Sequence, residues 1–319
     1  MSSKADSTIE TMRSPYVMVD DFLPLDAAEA MRLDIDTHFG NSESHRPETH
    51  QVWNYWFVPG HYAYLRTTPQ KLIRPDRVDN FMQVLRRWSA EALGLREVTW
   101  PYLSLYVSGC RQNLHNDSAN GRFAFVYSLT RDRRTTSGGE TLVLNEGDLF
   151  RNNVATAQSG PGFYTSIEPR FNRLVVFDDR MPHGVERVDG SMDPLEGRFV
   201  MHGHIRDKGA IVSGALTEEQ VASVVLEALI DFSGEALARI RLYHGPVVFR
   251  LFIGASGSVK SCAVLLDRVT AIDANDLGWP KMLSSLVAKL TALKFPEASG
   301  ETTVTQPVLM GTSLFRPGH

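Results

Sequence analysis

Between Trp100 and Arg206 the chain breaks into short runs with a β pattern: WPYLSLYV, RFAFVYSL, GETLVL, GFYTSI, RLVVFDD and GRFVMHGHI. Turn residues separate them, at SGC, SANG, TSGG, NEGD and EPRFN. Runs rich in β-branched and aromatic residues, punctuated by Gly, Asn, Asp and Ser, predict strands joined by turns. A series of such strands buries its apolar faces by forming a sandwich or a barrel. Residues 100–206 are therefore expected to be an all-β core.

The flanks read differently. PYVMVDDFLP at 15–24 predicts a short strand, and Asp26 is placed to cap a helix over LDAAEAMRLDIDTHF. A loop, NSESHRPETHQ, leads to the aromatic stretch VWNYWFVPGHYAYL. A second amphipathic helix is expected from Asp76 to Leu93, with Gly94 placed to end it. After Arg206 the small, glycine-bearing stretch 207–216 predicts a linker. Beyond it, Thr217 and Gln220 form the T-x-x-Q pattern of a capping box. The order α-β-β-α-β over 217–319 then suggests a small α+β domain. The expected organisation is a disordered 1–14, a domain over 15–206 (helical part 15–99, β core 100–206), the linker and the α+β domain.

Composition narrows the class of protein. Hydrophobic content of 43% and charged content of 22% are those of a soluble globular chain. The formal net charge is −4 and no basic block occurs, so neither nucleic acid nor an anionic membrane is expected as a partner. MSSKADSTIETMRS has no apolar centre and does not read as a signal peptide. No apolar run approaches the roughly 20 residues that span a bilayer. Cys110 and Cys262 lie far apart with no C-x-x-C context, which fits a reduced, cytoplasmic setting.

NLHNDSANGRFAFVYSL raises the chemical question. His115 and Asp117 are separated by one residue, so on an extended chain both point to one face. Alone, the pair fits a turn as well as a metal site. His183, directly after the apolar run RLVVFDD, supplies a third ligand type. Two histidines and one carboxylate make the facial arrangement that holds Fe(II) and leaves positions open for a chelating cosubstrate and O2. Arg198 follows in EGRFVMHGHIR. Counting by two puts Arg198, Val200, His202 and His204 on one face of that strand, and Phe199, Met201 and Ile205 on the other. A guanidinium inside a small barrel needs a carboxylate. A cosubstrate carboxylate fits it in bidentate geometry, and Glu196 is the alternative within the chain.

With these residues in place, 100–206 resembles the Fe(II)/2-oxoglutarate-dependent dioxygenases, in particular their prolyl-hydroxylase-like branch. The resemblance rests on LHND, SGGETLVL, IEPRFNRLVVFDDRMPHGVERV and GRFVMHGHI, and more weakly on DDFLPLDAAEAM. It implies a mainly β protein with flanking helices, built as a double-stranded β-helix or jelly roll, with Fe(II), 2-oxoglutarate and O2 as cofactor and cosubstrates. His115, Asp117 and His183 match the iron ligands, Arg198 the arginine on the far carboxylate of 2-oxoglutarate, and Tyr106 a tyrosine that touches it. Ser128 stands where many relatives have Tyr, and DGSMDP lengthens the spacing from His183 to Arg198. Because Asp117 is present, the resemblance implies hydroxylation, with succinate and CO2 as products, rather than halogenation. The substrate would be a peptide or protein side chain, or a small metabolite.

Further candidates for substrate contact are Asn113, Asn116 and Arg122 around the triad, and His202 and His204 beside Arg198. The crowd of Trp53, Tyr55, Trp56, His61, Tyr62 and Tyr64 reads equally as core or as a substrate lid. The C-terminal segment faintly resembles a TonB-type domain through GPVVFRLFIGASGSVKSCAVL, LKFP and TVTQPVLM. A homodimer contact or peptide recognition is expected of it, through Val247, Phe249 and Leu251 or through Leu286 and Leu290. A reading from another class is a non-catalytic, cupin-type metal-binding barrel acting as a sensor or binding module.

Overall fold

The computed structural model describes residues 12, 14–41, 52–117, 120–131, 135–145, 164–273 and 275–311. Apart from Met12 and Ser14, the expectation of disorder over 1–14 lies outside them. The chain divides into two compact units, one of residues 15–87 and 97–206, the other of 1–14, 88–96 and 207–319. Among the described residues no helix is long and apolar enough to cross a membrane.

In the first unit the chain runs through β1 (Tyr16–Val19), α1 (Leu25–Gly40), β2 (Asn54–Val58), β3 (Tyr62–Thr67) and α2 (Pro75–Ala92). Then come β4 (Glu97–Val98), β5 (Tyr102–Tyr106), β6 (Arg111–His115), β7 (Phe123–Ser128), β8 (Thr136–Ser137) and β9 (Thr141–Leu144). The last are β10 (Tyr164–Ile167), β11 (Leu174–Asp178), β12 (His183–Val185), β13 (Asp189–Gly190) and β14 (Arg198–Arg206). The main sheet has the order β1-β11-β7-β14-β5-β3-β6-β12-β9-β10, with β2 on β3 and β4 on β14. All these pairs are antiparallel.

The sheet curls on itself. β11 and β12 are far apart along it, yet the Phe177 and His183 rings lie 4.5 Å apart. Likewise Arg198 on β14 donates through Nη2 to Thr141 Oγ1 on β9 at 2.9 Å. Strand alternation sorts the two faces. Phe125 and Tyr127 of β7 turn outward, where Phe81 of α2 packs at centroid distances of 6.2 and 4.8 Å. Phe199 of β14 meets Arg32 of α1, whose guanidinium carbon lies 4.8 Å from the ring centre. The intervening residues face the interior of the curl. The mainly β architecture with helices on the outer face agrees with the sequence.

Several local expectations need correction. Asp26 is not the cap of α1. Pro24 holds the N-cap position without a side-chain bond, and Asp26 sits in the first turn, where a carboxylate still favours the helix N-terminus. The aromatic stretch forms the β2–β3 hairpin. DGSMDP contains β13, paired with β8, and leads into a short 3-10 helix, Pro194–Glu196, capped by the Asp193 side chain.

The second unit contains β15 (Ile211–Gly214), α3 (Glu218–Ile240), β16 (Tyr243–Ile253), β17 (Val259–Asp267), β18 (Thr270–Ala271), α4 (Trp279–Thr291) and β19 (Thr302–Met310). Its sheet has the order β15-β19-β16-β17, with β18 on β16. The capping box of Thr217 and Gln220 is formed. The stretch read as a linker is ordered as an edge strand, because β15 pairs with β19 along its full length. Val247, Phe249, Leu251, Leu286 and Leu290 are wholly buried in one core with Val221, Val225 and Phe232 of α3. They are therefore not available as the apolar contact surface expected of them. α2 ends as anticipated, with Gly94 at φ +70°.

Candidate metal centre

β6 ends at His115, β12 begins at His183, and the two residues are directly paired across the strands. Asp117 lies just beyond β6, and its N–H donates to the Asp179 carbonyl, at the end of β11, at 3.0 Å. Three adjacent strand ends thus converge. Asp117 Oδ2 is 3.4 Å from His183 Nε2 and 3.9 Å from His115 Nε2. One candidate ligand atom from each residue lies within 4.8 Å of the others, the one such cluster among the described residues.

The protonation pattern suits a metal. His115 Nδ1 lies 2.9 Å from the Asn113 carbonyl, and His183 Nδ1 3.0 Å from the Met181 carbonyl. A carbonyl oxygen can only accept, so each Nδ1 carries the proton and each Nε2 presents a lone pair. Burial, and then the neighbouring His183, push the His115 pKa below the usual histidine value. Burial alone would raise the pKa of Asp117, but contact with His183 and the charges of His183, His115 and His204 outweigh it and bring it down to about 2. The three residues thus offer two imidazole Nε2 atoms and a carboxylate. This donor set fits Fe(II).

The cluster opens into a cavity of about 460 Å³ inside the curl, which Arg198 also lines. Arg198 is 1% exposed and pairs in register with Tyr106 across β14 and β5. Its guanidinium carbon lies 4.8 Å from the Tyr106 ring centre. The Tyr106 hydroxyl donates to Gln112 Oε1 at 3.1 Å, and Gln112 Nε2 lies 3.2 Å from His115 Nε2. Arginine end and triad are therefore linked through Tyr106 and Gln112.

Gln112 was not anticipated, and the register explains why. His183 pairs with His115 but Val185 pairs with Gln112, so β6 carries an extra residue. Such a bulge breaks the count by two and turns Gln112 to the side of His115. Gly184 permits it, because a Cβ there would lie 2.6 Å from the Gln112 carbonyl oxygen.

His202 and His204 also line the cavity. His202 Nε2 is 2.8 Å from Ser104 Oγ. Burial, followed by the charge of Arg66, holds its pKa down to about 3, so it is neutral. His204 Nδ1 lies 3.2 Å from Asp179 Oδ2. Asp179 was not foreseen, although two acids closing an apolar strand were its signal. Asn113, Asn116 and Arg122 are not brought to the cavity lining. Asn113 Nδ2 donates to the Gly60 carbonyl, Asn116 is exposed, and Arg122 Nη1 is 3.4 Å from the Gly121 carbonyl. Ser128 Oγ donates to the Pro169 carbonyl at 3.0 Å and borders a small recess behind Arg198. The aromatic crowd splits. Trp56, Tyr62 and Tyr64 line the cavity, whereas Trp53 stacks on Phe39 at 6.3 Å.

Residues 102–206 match the model of the 2OG-Fe(II) oxygenase superfamily, dioxygenases that use Fe(II), 2-oxoglutarate and O2. Among curated proteins, none matches the chain. Similar solved structures include a Pseudomonas putida prolyl-4-hydroxylase, 16% identical over 61% of this chain and 94% of that one, with a TM-score of 0.44. A second is a prolyl hydroxylase from Trichoplax adhaerens, in complex with a hypoxia inducible factor oxygen degradation domain peptide fragment. It is 12% identical over 61% and 84% of the two chains, with a TM-score of 0.45. A third is SnoN, a non-heme alpha ketoglutarate dependent epimerase from nogalamycin biosynthesis, at 15%, 62%, 78% and 0.42.

Proposed function

We propose, from the premise that residues 102–206 are a 2OG-Fe(II) oxygenase domain, that this protein is a hydroxylase with a double-stranded β-helix core. It inserts one oxygen atom of O2 into an unactivated C–H bond of a peptide, protein side chain or small metabolite. The other oxygen atom enters 2-oxoglutarate, which leaves as succinate and CO2. The observation that carries this reading is the convergence of His115 Nε2, His183 Nε2 and Asp117 on the wall of the cavity that Arg198 shares.

Fe(II), when bound by these three residues, supplies the redox chemistry and the activation of O2. The chain supplies position. Backbone carbonyls of Asn113 and Met181 keep both histidines in the ligating tautomer. The Asp179 carbonyl holds the backbone of Asp117. Arg198, steadied by Thr141 Oγ1 and the Tyr106 ring, offers its fork to the far carboxylate of 2-oxoglutarate. Tyr106 and Gln112 span the distance between, and Val126, Phe177 and Val200 supply apolar wall. The α+β domain over 217–319 contributes substrate recognition or self-association.

The test is succinate formation from 2-oxoglutarate by the full-length protein, with and without Fe(II), O2 and a chelator. Slow succinate release that needs both Fe(II) and O2, and rises when a candidate substrate is added, is expected. No Fe(II)-dependent succinate under any condition would contradict the reading.

A further inference from the structure

The cavity carries more positive charge than this reaction uses. Among the described residues that line it, Asp117 is the only carboxylate, whereas Arg66, Arg198 and Arg206 are cationic. Asp117 is committed to the metal and Arg198 to the cosubstrate. Arg66 and Arg206 remain. Arg206 is exposed and donates through Nε to the Asn120 carbonyl at 2.6 Å.

Arg66 is built in. It stands on β3 opposite Ser104 of β5, one inward row along from the Tyr106–Arg198 pair. Its guanidinium carbon lies 3.5 Å from the centre of the Trp56 ring and 4.1 Å from that of Tyr102. Two aromatic rings thus hold one half-buried guanidinium at the cavity wall. Stacking of this kind occupies the faces of the group and leaves its in-plane N–H donors for partners at its edge, of which the Tyr64 hydroxyl is one. Among the described residues no carboxylate pairs with it. A cation immobilised by rings, with no carboxylate paired to it among the described residues, is prepared for a bidentate oxyanion from outside.

We propose that Arg66 anchors the substrate through a carboxylate, so that the substrates of this enzyme carry a free carboxylate together with an apolar body that lies against Tyr62 and Trp100. The proposal rests on the oxygenase reading. The cavity, at about 460 Å³, is of the size that encloses small ligands, and the cosubstrate takes part of it. A free amino-acid derivative or a chain end fits this description; an internal stretch of chain fits it only where an Asp or Glu side chain supplies the carboxylate.

The experiment is calorimetric titration of the anaerobic full-length protein, loaded with Fe(II) and 2-oxoglutarate so that Arg198 is already occupied. The probes are matched pairs: N-acetylproline, N-acetylleucine and N-acetylphenylalanine, each as the free acid and as the primary amide. At least one free acid should bind tenfold or more tightly than its amide. Arg66→Gln should abolish that preference, Arg66→Lys should keep part of it, and Arg206→Gln should leave it in place. Equal binding of acid and amide, no binding of any acid, or a preference that survives in Arg66→Gln or disappears in Arg206→Gln overturns the proposal. If Arg66→Gln does not fold, the wild-type pairs and Arg66→Lys decide it. Should the wild-type protein fail to bind Fe(II) and 2-oxoglutarate at all, the oxygenase reading falls, while the acid preference and its dependence on Arg66 are still read from the same titrations.

Discussion

Arg198 and His202 stand four residues apart on the inward row of β14, and their surroundings give them opposite charge states. Arg198 keeps its charge at 1% exposure with Thr141 and Tyr106 beside it. We predict that Arg198→Gln weakens 2-oxoglutarate binding by roughly 2–5 kcal/mol, the range for losing one partner of a desolvated, charge-assisted pair. Fe(II) affinity should stay close to the wild-type value, because no ligand is touched. An unchanged 2-oxoglutarate requirement would remove Arg198 from this role. His202 instead is held neutral, with its pKa down to about 3. Below pH 6.5 an unfolded chain takes up a proton that the folded protein refuses. The stability contribution of this group is therefore complete above pH 6.5 and is lost progressively as the pH falls toward 3. The slope is at most about 1.4 kcal/mol per pH unit. Denaturant melts at pH 7 and pH 5 should show a larger loss in the wild type than in His202→Gln. Equal losses would contradict the assignment of a buried neutral imidazole.

At the scale of elements, the site depends on the fit of β6 against β12. A Cβ on Gly184 would come within 2.6 Å of the Gln112 carbonyl oxygen and 3.2 Å of the Asn113 carbonyl carbon, and backbone atoms cannot swing aside as side-chain ends do. Gly184→Ala should push the bulge outward and carry His115 with it. Fe(II) affinity is predicted to fall at least tenfold while the protein remains folded, and a wild-type affinity in that variant would contradict the packing account. The same pair shows what could be read in the sequence. Where strands alternate regularly, as in β7 and β14, counting by two assigns Val126, Arg198, Val200, His202 and His204 to the cavity and Phe125, Tyr127 and Phe199 to the helices. His115, Asp117 and His183 were legible because each borders an apolar strand. Gln112 was not, because one extra residue in β6 reverses the count and leaves no local trace. Arg66 was hidden in a run of aromatics that fills both faces of a hairpin and so shows no alternation. β15 was hidden for another reason: its partner, β19, lies some ninety residues further on, and only that pairing makes a strand of GAIVSG.

The whole molecule divides differently from the sequence. Composition changes at Arg206, which suggests a boundary there, yet residues 88–96 belong with 207–319. The close approach at Gly94 explains the grouping: a Cβ there would meet Val248 Cγ1 at 2.5 Å and Thr305 Cγ2 at 2.6 Å. Arg250 Nη2 also donates to the Glu91 carbonyl at 3.1 Å. A chain truncated after Lys208 would leave the end of α2 without these partners. It is predicted to melt at least about 5 °C below the full-length protein, a shift corresponding to one or two kcal/mol at this size. Identical melting temperatures would mean that residues 88–96 need nothing beyond Lys208. The account as a whole depends on iron and 2-oxoglutarate meeting at one place. Anaerobic addition of Fe(II) to the full-length protein with 2-oxoglutarate, followed by visible absorption, tests that directly. A weak charge-transfer band should grow to saturation at one Fe(II) per chain and be absent from His183→Ala; no band in the wild type, or an undiminished band in the variant, would contradict it.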